Sequence, residues 1–176
     1  MIHRIFDIPI KIKDKDCNFN GKEGGFISPS VNLFVKVTDK CNANCLFCSN
    51  KSSVCANKFN IDKFRLCIDE IRNNFIKINK INITGGEPST SIELTEKILT
   101  IIPDNIHVHL NTNGLLNESQ YLMKNDRWDS ISISLHHYDK EKLSELYHTK
   151  ISDDALQFID LPMYKINASC NLIKGY

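Results

Sequence analysis

From residue 31 to residue 170 the sequence alternates between two kinds of stretch, and this alternation limits the fold more than any other feature. Residues 31–37, 80–84, 105–110, 130–135 and 164–170 place apolar side chains at every second position, the period of a strand. Between them, 60–72 carries Ile61, Phe64, Ile68 and Ile71 at helical spacing behind the N-cap candidate Asn60. Residues 91–102 carry Ile92, Thr95, Ile98 and Leu99 on one helical face and stop at Pro103. Shorter helical stretches follow at 118–124, 139–147 and 152–160. Five strand–loop–helix units, the last without its helix, predict a parallel sheet with helices outside, open or rolled into a barrel. In such folds the loops after the strands' C-terminal ends share one face, and sites are built there. The cysteine-rich loop after residue 37, Gly85–Pro88, Asn111–Gly114 and the segment after Ser134 are therefore predicted to meet at one mouth. Residues 1–30 form an extension to a core spanning 31–176. Within it Ile8–Lys13 alternates as a short edge strand, and 18–25, with three glycines, is a turn or loop.

Composition narrows the setting. A chain of 176 residues is long enough for one real core. Its formal net charge of +1 carries no signal for nucleic acid or an anionic membrane as partner. No apolar run approaches the roughly 20 residues that span a bilayer, and the first residues lack a signal peptide's apolar core. Seven cysteines, an odd number, with three of them between positions 41 and 48, oppose a secreted disulfide framework and point to a reducing, cytoplasmic compartment.

Those three, Cys41, Cys45 and Cys48, stand at C-x₃-C-x₂-C spacing directly after the first strand of the series. Three thiolates from one loop can converge on one inorganic centre. A closed zinc site takes four protein ligands, and an iron–sulfur cluster with one cysteine per iron also takes four. The loop leaves one position open unless a distant residue fills it, and a zinc-binding interaction module completed by a residue such as Cys55 is the alternative on these residues alone. Gly85-Gly86-Glu87-Pro88 alone reads as a strand-to-helix turn with Glu87 as a solvated first-turn acid. Asn111–Gly114 alone is a plain turn. His107 and His109 share a strand face as structural or solvent-facing groups. Cys67 and Cys170 read as small buried hydrophobes.

Taken together, Cys41, Cys45, Phe47 and Cys48 after one strand and Gly85-Gly86-Glu87-Pro88 after the next resemble the radical S-adenosylmethionine (radical SAM) superfamily. The resemblance runs from about Val31 to Gly175. It implies a partial (β/α)₆-type TIM-like barrel, here with about five parallel strands and incomplete at the C-terminus, as in a truncated chain. It implies that the three cysteines bind three irons of a [4Fe–4S] cluster, and that S-adenosylmethionine (SAM) chelates the fourth iron. One electron from the cluster would then cleave SAM to methionine and a 5′-deoxyadenosyl radical, which abstracts hydrogen from a substrate of unknown identity. The peptide- and cofactor-modifying branches are the nearest in pattern.

By the same resemblance Phe47 lies near the adenine, Gly85 and Gly86 let backbone approach the methionyl part, and Pro88 belongs to the same cofactor-binding motif. Glu87 faces the SAM amino group, Thr112 and Asn113 face the cofactor, and Ser134 contacts its ribose or carboxylate. Two positions depart from the pattern: His136 stands where many relatives have aspartate, and His148 where some have a carboxylate-binding arginine. The implied partners are an external one-electron donor of flavodoxin or ferredoxin type and a substrate, with a peptide among the candidates. A degenerate cluster-binding scaffold without catalysis is the remaining alternative.

Overall fold

The computed structural model of the chain describes residues 2–5, 8–11, 30–48, 59–74, 76–155 and 163–171. It opens with a hairpin in which β1 (Ile2–Ile5) pairs antiparallel with β2 (Ile8–Lys11) as a sheet of its own. The alternation at Ile8 is thus one arm of a hairpin and not an edge of the main sheet, because β1 supplies its hydrogen-bonding partner.

The main sheet holds five strands: β3 (Ser30–Lys36), β4 (Lys77–Thr84), β5 (His107–Thr112), β6 (Ser130–Ser134) and β7 (Ile166–Ser169). They lie side by side in chain order, every pair parallel. Parallel neighbours need a crossover connection. Helices α1 (Ile61–Asn73), α2 (Ile92–Ile101), α3 (Asn117–Met123) and α4 (Lys140–Tyr147) provide it in the first four units. The predicted α/β architecture is the one observed. Of the predicted helix at 152–160, residues 153–155 form a turn, and the rest lies outside the described residues.

The helices form where the pattern placed them, for reasons visible at their ends and faces. Asn60 caps α1 by accepting the Lys63 amide at 2.8 Å. Phe64, Ile68 and Ile71 bury one face of α1, and Thr95, Ile98 and Leu99 one face of α2. Both faces pack on Val35, Ile81, Ile83, Val108, Leu110, Ile131 and Ile133 of the sheet. Each fully buried isoleucine or leucine stabilises the fold by about 2 kcal/mol.

The alternate strand residues form the opposite face, which is polar on β4, β5 and β6 and carries the exposed Phe34 on β3. Asn82 of β4 stands beside His109 of β5, which stands beside Ser130 of β6. The Ser130 hydroxyl meets both His107 Nε2 at 2.9 Å and His109 Nδ1 at 2.7 Å. These histidines are structural, as expected, although His107 is exposed and His109 is buried. Burial first, and then the Lys80 charge, push the His109 imidazole down to about 4. A group neutral in the fold but titrating near 6.5 when unfolded leaves stability unchanged above that pH. It removes stability as pH falls from 6.5 towards about 4, since only the unfolded chain takes up the proton. Urea midpoints at pH 7 and pH 5 are expected to differ less in His109→Gln than in the wild type. An equal difference in both would place the neutral imidazole elsewhere.

Cys67 is half-buried against the core, whereas Cys170 is exposed, contrary to the sequence reading. It follows β7, where Asn167, Ala168 and Ser169 are exposed in turn, so among the described residues no apolar layer covers it. Cys17 and Cys55 lie outside the described residues. No helix among the described residues is long and apolar enough to cross a membrane.

Candidate functional site

The cysteine loop leaves β3 and is held first by the end of β4. The Val37 amide donates to the Thr84 carbonyl at 2.9 Å, Gly86 N–H to Thr38 O at 2.7 Å, and Glu87 N–H to Lys40 O at 2.7 Å. Two backbones lie this close only because no Cβ intervenes. A Cβ at Gly85 would sit 2.7 Å from Thr38 O, and one at Gly86 only 2.1 Å from Lys40 O. Neither glycine has a positive φ, so the requirement is space rather than backbone conformation. The observed close approach is to the chain's own cysteine loop.

Glu87 is not the solvated acid that its position alone suggests. It is 1% exposed, and four groups donate to its carboxylate. Oε1 accepts from Ser89 N–H (3.1 Å), the Ser89 hydroxyl (2.8 Å) and the Thr112 hydroxyl (2.7 Å). Oε2 accepts from the Asn113 amide (2.7 Å). The carboxylate therefore ties the end of β4 to the end of β5, which explains why Thr112 and Asn113 are buried with it. Burial pushes the Glu87 carboxyl up from its usual range, and the four hydrogen bonds oppose that shift. A carboxylate offers about four acceptor positions, so Oε2, with one donor, keeps capacity for another. The Asn113 side chain extends the link by donating to Asn42 Oδ1 at 2.8 Å and to Cys41 Sγ at 3.9 Å.

One pocket collects these parts. Cys41, Ala43, Cys45, Phe47 and Cys48 line one side, Thr84, Gly85, Gly86 and Glu87 the next, and Asn111, Thr112 and Asn113 a third. Ser134, His136, Tyr147, Ser169 and Asn171 complete it. Phe47 meets the His136 ring edge-to-face at 4.4 Å and lies 6.5 Å from Tyr147, whose hydroxyl donates to the Ser134 carbonyl. His136 Nδ1 accepts the Asn171 amide at 2.9 Å, which fixes Nε2 as the protonated nitrogen of the neutral ring.

The thiols bear on what this pocket can hold. Burial, followed by the charges of Cys41 and Cys48, pushes Cys45 up to about 11, and burial chiefly raises Cys41. Three thiolates facing one pocket repel one another, and a metal centre between them removes that cost because a coordinating thiol is deprotonated outright. Cys41 Sγ already accepts from the Ala43 amide at 3.4 Å, the kind of bond that tunes cluster sulfurs. Among the described residues no three histidine, cysteine, aspartate or glutamate side chains are gathered tightly enough for a single ion. Among the described residues the donor set fits a cluster taking one thiolate per iron, with three thiols and no fourth at the pocket.

Two residues predicted for the site lie off the pocket. Pro88 is buried in the 3₁₀ turn Pro88–Ser91 behind Glu87. His148 is exposed at the end of α4, in the left-handed conformation at φ 47°, so the carboxylate-binding role that the resemblance implied has no counterpart in the pocket lining. Conversely Tyr147, Ser169 and Asn171 line the pocket without having been singled out. Tyr147, four residues after Leu143 on an apolar helix face, carries only a core signal in sequence.

The Radical SAM superfamily model matches residues 35–161, more than half of the chain. The chain belongs to the radical SAM superfamily. Members of this enzyme family use a [4Fe–4S] cluster and S-adenosylmethionine. A probable GTP 3′,8-cyclase of Pyrococcus horikoshii is 25% identical over 157 residues, covering 85% of this chain and 49% of that protein. A Methanocaldococcus jannaschii protein provisionally assigned as a glycyl-radical enzyme activating enzyme is 31% identical over 117 residues, 66% of this chain and 44% of its own length. The chain thus spans about half the length of these relatives. In architecture it is similar to Streptococcus suis SuiB bound to S-adenosylmethionine, with a TM-score of 0.55 and 18% identity over 70% of this chain and 29% of SuiB. That likeness concerns the radical SAM fold, a partial TIM-like barrel.

Proposed function

We propose that this chain is the cofactor-binding core of a radical SAM enzyme, with residues 31–176 as that core and 1–30 as an extension. The observation that carries the reading is that three loop thiols, the buried Glu87 carboxylate and Phe47 face one pocket at the C-terminal ends of the strands. Cys41, Cys45 and Cys48 would hold a [4Fe–4S] cluster, and Glu87 Oε2 would accept from the SAM amino group through its remaining acceptor capacity. The aromatic group of Phe47, His136 and Tyr147 would border the adenine, and Ser134 the ribose or carboxylate. When bound, the cluster and SAM would supply one-electron, radical-generating chemistry at this pocket. The protein's own groups orient the cofactor and exclude water.

The natural electron source is a flavodoxin- or ferredoxin-type donor in the cytoplasm. For the substrate, the relatives supply two chemistries. The cyclases are named for GTP, and SuiB has been crystallised with its precursor peptide SuiA. Asn111, Ser169 and Asn171 of the pocket lining offer hydrogen-bonding groups that suit either a peptide or a nucleotide.

The test is anaerobic reconstitution. Wild-type protein is expected to take up about four irons per chain and, with dithionite and SAM, to release deoxyadenosine. Cys45→Ala is expected to lose at least half of the iron and all of the deoxyadenosine. A variant that keeps both would remove Cys45 from the ligand set. Stoichiometric zinc in colourless wild-type protein would replace the reading altogether.

A further inference from the structure

His148 was singled out by the family resemblance, and the pocket does not use its side chain. Its backbone is unusual in another way: among the described residues it is the one non-glycine residue with positive φ. Left-handed residues other than glycine are uncommon and persist only where surrounding structure imposes them.

Here the surroundings are the end of α4. His148 N–H donates to Glu145 O at 3.1 Å and Thr149 N–H to Ser144 O at 3.2 Å. This pair of bonds around a left-handed residue is a Schellman motif, a place glycine usually takes. It satisfies two of the last four carbonyls that any helix leaves without an internal partner. The other two belong to Leu146 and Tyr147, and the cysteine loop takes both. Asn44 N–H donates to Tyr147 O at 2.9 Å and Leu46 N–H to Leu146 O at 3.2 Å. These are the amides on either side of Cys45. A further bond, from the Thr149 hydroxyl to Asn42 O at 3.2 Å, fixes the same loop one turn earlier. Leu143 and Tyr147 of α4 pack in one apolar cluster, against which Ala43, Cys45 and Phe47 lie. All the backbone groups at this helix end are accounted for, and half of them are spent on the loop.

We propose that the C-terminal turn of α4 is the clamp that sets the position of Cys45, and that His148 is its positioning residue, acting through backbone conformation and not through the imidazole. If the chain reversed elsewhere than at His148, the Leu146 and Tyr147 carbonyls would no longer aim at the Asn44 and Leu46 amides. The clamp rests on the reading of Cys45 as a cluster ligand only for its purpose, not for its existence.

The variants separate backbone from side chain. His148→Gly keeps the left-handed conformation without cost, whereas His148→Val places a β-branched residue where it is a genuine outlier. In metal-free protein, amide hydrogen exchange at Asn44 and Leu46 is expected to quicken about tenfold in His148→Val, with Leu110 in the core strand unchanged. In His148→Gly both amides are expected to exchange as in the wild type or more slowly. Thr149→Val, which loses only the Asn42 bond, is expected to quicken Asn44 and Leu46 by a smaller factor. On reconstitution, iron content is expected to follow the same order. Wild-type exchange at Asn44 and Leu46 in His148→Val would overturn the clamp, and so would a His148→Gly variant as perturbed as His148→Val, since the imidazole would then be the active part. Failure of wild-type protein to take up iron would instead overturn the cluster assignment, leaving the exchange result to decide the clamp.

Discussion

Gly86→Ala is expected to lower the thermal midpoint by roughly 10 °C and to prevent iron uptake. The added methyl would lie 2.1 Å from the Lys40 carbonyl oxygen, and both partners are backbone. No side chain can swing aside, so the cysteine loop must move off the end of β4, breaking the bond from Glu87 N–H to Lys40 O. Overpacking of this kind costs about 3 kcal/mol, and a chain of this length loses about 2–4 °C per kcal/mol. Gly85→Ala, with 2.7 Å to Thr38 O, should cost less, giving an internal ordering. Differential scanning calorimetry on both variants provides the check. A Gly86→Ala protein with wild-type midpoint and wild-type iron content would mean that the loop is not held against β4.

Glu87→Ala should be comparably damaging, though for an electrostatic reason. The truncation leaves the Ser89 and Asn113 amides without an acceptor in a site where Glu87 itself is 1% exposed. The Ser89 and Thr112 hydroxyls also lose this acceptor but can rotate, Ser89 towards Ser119 Oγ at 2.7 Å, whereas backbone amides cannot turn away. Two unpaired buried donors cost roughly 4 kcal/mol together, measurable as a shift in the urea midpoint. Glu87→Gln recovers only part of this, because its amide nitrogen must face either the Asn113 N–H or the three donors now at Oε1. A solvated acid at this position would cost less than 0.5 kcal/mol on removal. Loss below that level would show that the β4–β5 link does not depend on the carboxylate.

The architecture was legible because one strand face in this chain is apolar and the other polar. Ile81 and Ile83 alternate with Lys80, Asn82 and Thr84, and Ile131 and Ile133 with Ser130, Ser132 and Ser134, so period and burial coincide. The chemistry of the loop was legible for a different reason: thiols at short spacing are rare outside metal or disulfide chemistry. What sequence left hidden depends on contacts between distant elements. Whether Glu87 is solvated is decided by Thr112 and Asn113, which arrive from β5. Counting from Ser134 leads to His148, but spacing cannot say that the chain reverses there and turns the imidazole outward, leaving Tyr147 at the pocket. Cys170 read as a core residue because free cysteine is among the most buried types, yet among the described residues β7 has no layer over it at that point.

The loop's restraints also set an order of events during synthesis. The bond from Asn113 to Asn42 spans 71 positions and that from Thr149 to Asn42 spans 107. At about 5–20 residues per second, the ribosome needs roughly 5–20 s after making the three thiols before it delivers the last group that fixes them. Until then the loop has only its bonds to β4 and Asn113, and the sulfurs lack the restraint that α4 places on either side of Cys45. Iron delivered once α4 has docked would meet sulfurs already arranged to receive it.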